Sequence, residues 1–93
     1  MFPKTLDNAK VLFYTPKGKY GKLFDPNGVE IVEFSYLAIC KYENDNQYYL
    51  FMCNEKYEVE TDSIWGSVEE CMSIKIAGYK KAEVHWIKFE TER

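Results

Sequence analysis

The sequence predicts an α+β fold: a single antiparallel sheet of four to six strands, a meander over 32–62, and one helix of about 68–77 packed on one face. Three observations carry this. Apolar residues recur at period two from Val32 to Tyr42 and again from Tyr57 to Thr61, the repeat of a strand that hides a side. The run QYYLFMC (47–53) is apolar on both faces, as a central strand is. The rhythm then breaks at SIWGSVEEC (63–71), where a helix-start signal stands.

Taken in order, AKVLFYTP (9–16) reads as a first strand stopped by Pro16. KGKYGK (17–22) has two glycines and three lysines and reads as a mobile basic turn or hairpin loop. In LFDPNGVEI (23–31), Asp-Pro-Asn-Gly between apolar residues is a turn. Asp25, Asn27 and Glu30 resemble part of a calcium loop, but its other ligand positions are missing, so a plain turn is preferred. Val32, Phe34, Tyr36, Ala38, Cys40 and Tyr42 share one apolar face, with Leu37 and Ile39 central on the other. Val29 and Ile31 have the opposite parity, so a bulge or a new strand should begin near 31–32.

ENDN (43–46) is a turn, QYYLFMC the second strand of the meander, and Asn54-Glu55 a short turn. The third strand puts Tyr57, Val59 and Thr61 on one face and Glu58, Glu60 and Asp62 on the other, wet one. Ser67 followed by Glu70 forms a capping box, and Glu69 and Glu70 suit the positive end of the helix dipole. Val68, Cys71, Met72 and Ile76 make the helix's apolar stripe, with Gly78 at its C-terminal end. Lys75 interrupts that stripe, so an earlier helix end, with SIKIA extended, is the alternative. AEVHWIKFE (82–90) reads as a final strand.

Ninety-three residues, 46% of them hydrophobic and 17% aromatic, suit one domain spanning 1–93 and argue against disorder. No apolar run approaches the roughly 18 residues a membrane span needs. The start, MFPKTLDNAK, lacks a basic stretch followed by an apolar block, so a signal peptide is not expected and a cytosolic location follows. Net charge is −3, unevenly spread: +4 over residues 1–22, −9 over 23–74 and +2 over 75–93. The acidic middle repels phosphate and attracts cationic surfaces, which counts against nucleic-acid binding there.

Cys40, Cys53 and Cys71 form no CxxC pair and sit in apolar patterns, as small reduced core residues do. With one histidine, His85, no metal site or cofactor is expected. A dyad of His85 with Cys71 or Cys53 is conceivable, but no glycine-rich oxyanion turn precedes any cysteine. QYYLFMC superficially resembles an RNA-binding aromatic strand, yet lacks its basic and glycine positions. Glu55, Glu58, Glu60, Asp62, Glu69 and Glu70 cluster in sequence around Trp65, which is placed in the strand-to-helix loop. An aromatic anchor among acids suits a protein-binding surface for a basic partner. The plainer reading has Trp65 plugging the core while the acids keep the chain soluble.

The run NQYYLFMCNEKYEVETDSIWGSVEECMSIKIAGY (46–79) resembles small bacterial α+β proteins that combine a tyrosine-rich strand, a YEVETDS-type strand and a Ser-x-Glu-Glu helix start. Similar compact acidic domains occur among immunity proteins of bacterial toxin systems. The resemblance covers about a third of the chain; it implies the fold and no catalytic residue. The leading expectation is a non-enzymatic protein-binding module, immunity-like, holding a basic protein at an acidic surface. A small enzyme or ligand-binding domain with a Cys/His-lined cavity is the alternative, and a structural or regulatory homodimer subunit, paired through a sheet edge, the third.

Overall fold

The structure is a computed structural model that describes residues 1–74 and 84–90. Among the described residues, eight strands and one helix follow in the order β1 (Thr5–Leu6), β2 (Ala9–Tyr14), β3 (Lys22–Phe24), β4 (Glu30–Glu33), β5 (Tyr36–Lys41), β6 (Tyr48–Cys53), β7 (Val59–Trp65), α1 (Val68–Ser73) and β8 (Ile87–Lys88). The chain is α+β, with a six-stranded sheet in the order β1-β2-β5-β6-β7 and β8 beside β2. Every pairing is antiparallel. The expectation of a single sheet is corrected: β3 and β4 form a separate two-stranded hairpin.

That hairpin turns where Asp-Pro-Asn-Gly predicted a turn. The Asp25 carboxylate accepts from the backbone N–H groups of Asn27 and Val29, both at 2.9 Å. Gly28 supplies the positive φ of 82° that closes it. A second tight turn was not anticipated. Leu6 pairs with Ala9 across Asp7 and Asn8, whose φ values are 47° and 69°. Two left-handed residues match the right-handed twist of a two-residue hairpin, and Asp and Asn tolerate that conformation.

The meander starts at Tyr36, not Val32, because the chain changes faces near Ser35. Tyr36, Ala38, Cys40 and Tyr42 pack on one side of the sheet with Phe2, Leu6, Val11, Phe51 and Cys53. Val32 and Phe34, expected on the same face, pack on the other side with Leu37, Ile39, Leu50 and Met52. One residue out of phase sends every following side chain to the opposite face. β5 and β6 are covered on both sides, which is why their sequences are apolar throughout. The register shifts between Val11 and Phe13 of β2 and again where β7 passes Met52 and Cys53. Such bulges bend and twist a sheet, and this one is curled.

The KGKYGK segment is packed, not loose. Tyr20 is buried; its N–H donates to the Phe34 carbonyl at 3.0 Å and its hydroxyl to the Pro16 carbonyl at 2.7 Å. The helix begins as expected: Ser67 caps it, its Oγ accepting from the Glu70 N–H at 3.1 Å. The Glu70 carboxylate reaches back one residue further than in the usual box, accepting from the Gly66 N–H at 3.1 Å. Cys71 is buried, with Val68 and Met72 beside it. The expected end near residue 77 is corrected: α1 stops at Ser73 and Ile74 is already extended. Lys75, Ile76, Ala77 and Gly78 lie outside the described residues, as do 82 and 83 of the expected last strand, of which Ile87–Lys88 pairs with β2. Among the described residues, no helix is long and apolar enough to cross a membrane.

Candidate functional site

The turn between β6 and β7 is built by Asn54. Its side-chain oxygen accepts from the N–H groups of Lys56 at 2.8 Å and Glu58 at 3.1 Å, an Asx turn extended by one residue pair. Its amide nitrogen donates to Glu58 Oε1 at 2.9 Å and to Glu60 Oε2 at 2.7 Å. One NH₂ group therefore holds two carboxylates side by side that would otherwise repel. Tyr57, at φ 63°, closes the turn and swings its ring into the core.

Against this turn lies a cavity of about 360 Å³ lined by Glu33, Ser35, Asn54, Glu55, Lys56 and Glu58, with Val32 at its wall. Glu33 comes from the end of β4, so the separate hairpin completes what the turn begins. Glu33, Glu55 and Glu58 outnumber Lys56 among the lining residues, and Lys22 stands opposite Glu33 in the β3–β4 ladder. Lys17 meets Glu55 at 3.6 Å, with both side chains more than 60% exposed, and such a pair contributes little and is easily displaced.

The seven residues singled out in the sequence do not form one patch. Glu55, Glu58 and Glu60 gather at the Asn54 turn. Glu60 is the extra residue of the β7 bulge, since Cys53 pairs with Val59 and Met52 with Thr61. The predicted alternation therefore fails beyond it. Asp62 pairs with Phe51 and shares the face of Val59, while Thr61 and Ser63 turn to the other side. Trp65 is the last residue of β7, not part of a loop. It is half-buried against the helix-side core, and its indole N–H donates to Ser63 Oγ at 2.7 Å. Glu69 is exposed on α1 and Glu70 is occupied by the cap. At about 3.3 Å per residue, Trp65 stands roughly 17 Å along the strand from Glu60.

Asn54 and Glu33 are the site residues that the sequence reading passed over. Asn54 lies in the short turn that the sequence predicts at Asn54-Glu55, and an Asn opening such a turn is a legible Asx-turn signal. Glu33 carries no such mark, because its place depends on how the β3–β4 hairpin docks.

The Cys/His arrangement is not assembled. All three thiols are fully buried, while His85 is exposed. Burial, with nearby negative charge, pushes Cys53 up to about 12 and Cys71 up to about 11, and Cys40 higher still. A nucleophilic cysteine needs the opposite shift. A second cavity, of about 670 Å³, opens beside β1, β2 and β8. Neither cavity is lined by a cysteine or by His85. Among the described residues, no group of three His, Cys, Asp or Glu side chains is placed to hold a metal ion.

In comparisons with protein-family models, curated proteins and solved structures, nothing matches this chain.

Proposed function

We propose that this chain is a non-enzymatic, cytosolic protein-binding domain that holds a basic partner at the Asn54 end of its sheet, as an immunity protein holds a toxin. The observation that carries the reading is the convergence of Glu33, Glu55 and Glu58 on one cavity, with Glu60 tied to it through Asn54. A lysine or arginine of the partner enters that cavity and exchanges water for carboxylate oxygens, and because Asn54 already holds Glu58 and Glu60, part of the ordering is done before binding. Asp62, Glu69 and the rest of the acidic middle add long-range attraction without contact.

A homodimer paired through the outer edge of β7 is the weaker reading. Symmetric pairing about the middle of that strand sets Asp62 against Asp62, and like charges opposed across a ladder destabilise it.

Affinity capture from native cytosol, followed by mass spectrometry, tests the proposal. The wild-type chain is expected to retain a protein with a basic surface, released by raising the salt. Glu33→Lys with Glu55→Lys should lose it while the melting temperature holds. Retention of the same protein by that variant would overturn the reading.

A further inference from the structure

The opposite edge of the sheet has an unusual construction. β1 pairs with the first half of β2, Thr5 opposite Lys10, and β8 with the second half, Tyr14 opposite Ile87. Two strands of two residues each thus share one edge, and flanking contacts run from the Val11 N–H to the Lys4 carbonyl and from the Phe89 N–H to the Leu12 carbonyl. The cavity of about 670 Å³ opens at this junction. Its apolar lining comes from Val11, Tyr14, Ile87 and Phe89, with the Tyr14 and Phe89 rings edge to face at 5.9 Å. Lys4, Lys10 and Lys88 also line it, against one carboxylate, Glu90. None of these three lysines takes part in an ion pair among the described residues.

We propose that this groove binds a small amphipathic anion, a monocarboxylate with an apolar body of the medium-chain fatty-acid kind. The volume lies in the range of small-molecule sites, which are largely apolar with a few orienting polar groups. The apolar lining accepts methylene groups, and their removal from water drives entry. Lys4, Lys10 and Lys88 outnumber the single carboxylate among the lining residues, so the groove's surroundings favour an anionic head group over a cationic amphiphile. In a chain of net charge −3, this gathering of positive charge is local and opposite in sign to the Asn54 end. The site shares no residue with the one proposed for the basic partner, so the two stand or fall separately.

Decanoate, titrated into the full chain below its micelle concentration and followed by calorimetry and amide chemical shifts, is the probe. Saturable binding with one decanoate per chain is expected, with shifts centred on Val11, Tyr14 and Phe89. Decyltrimethylammonium should not bind. Lys10→Glu combined with Lys88→Glu should weaken decanoate by about tenfold or more, a change of ~1.4 kcal/mol or above. Thr5→Trp, which narrows the groove without changing charge, should abolish binding, and Glu33→Lys with Glu55→Lys should leave it intact. A circular-dichroism melt of each variant establishes that it is folded. The proposal is overturned if decanoate fails to bind, if the cationic probe binds as well, or if both groove variants retain full affinity.

Discussion

Tyr57 stacks on Tyr36 with ring centroids 4.6 Å apart and planes within 22°, and it does so from a left-handed backbone at φ 63°. The ring of Phe2 stands edge-on to both, at 5.2 Å from Tyr57 and 5.6 Å from Tyr36. The turn that displays the acidic cavity is thereby fastened to the core by its own strained residue. A left-handed conformation costs a non-glycine residue about 1–2 kcal/mol, and the aromatic contacts offset it. Tyr57→Ala should destabilise by about 2 kcal/mol, since it keeps the strain and loses the stack. Tyr57→Gly removes more of the side chain yet should lose about 1 kcal/mol less, because glycine adopts this backbone freely. Urea denaturation of the pair checks the order, and alanine proving the more stable would refute it.

The same contact, together with the buried thiols, contributes to the loss of stability at alkaline pH. Tyr57 as a hydrogen-bond partner, then burial, pushes the Tyr36 phenol up to about 12. A phenol whose folded pKa exceeds its unfolded value of about 10 contributes stability below pH 10 that disappears as pH rises through 12. Stability should therefore fall across that window, with a tyrosine absorbance change that moves to lower pH in Tyr57→Phe.

Thr15 is a buried polar residue with a specific task. Its N–H donates to the Leu37 carbonyl at 3.1 Å, and its Oγ1 accepts from the Leu37 N–H at 3.0 Å. The hydroxyl continues the β2–β5 ladder at the point where Pro16 turns the chain away. Thr15→Val preserves shape and leaves a buried donor unpaired, which costs roughly 1–3 kcal/mol. Thr15→Ser keeps the acceptor and should lose less. Amide exchange at Leu37 reads the effect directly: it should quicken in the valine variant and stay slow in the serine variant.

Ser67→Ala removes the acceptor for the Glu70 N–H and should cost about 1 kcal/mol. A helix of six residues has little else of its own to hold it, so the loss should appear first as fraying of α1. An unchanged melting temperature would show that the cap is dispensable.

The thiols should respond in a fixed order. Buried cysteines with raised pKa values resist alkylation, so native protein at pH 8 should react slowly with iodoacetamide at all three positions. Cys71 sits on the short helix, whereas Cys40 and Cys53 lie in the central strands β5 and β6. Local opening of the helix requires less free energy than breaking the sheet. Peptide mapping should find Cys71 labelled first, and sooner still in Ser67→Ala; labelling of Cys40 ahead of it would contradict this.

Much of the fold was legible in local chemistry. Asp25 and Gly28 announce a turn, Ser67 and Glu70 announce a helix start, and YYLFMC announces a strand covered on both faces, because each depends on a few neighbouring side chains. The Asp7–Asn8 turn was legible too and went unread. The parity change of Val29 and Ile31 marked the bulge that β4 carries at Ile31, but two other shifts of one residue in register were not legible. A strand's side chains alternate with period two, so the face change near Ser35 and the bulge at Glu60 each reassign everything after them. The first is settled by Gly18 and Cys53, distant in the chain, and the second by how β7 pairs with β6, which the alternation of β7 alone does not report.

The candidate site follows the same division. Composition alone determined that the middle of this chain is acidic and its cysteines apolar in setting. Tertiary structure decided that Glu33 joins Glu55 and Glu58 at one cavity, that Asp62 faces the other side, and that Trp65 serves the core. It decided these because charge is a property of a residue, whereas a site is a property of which strands meet.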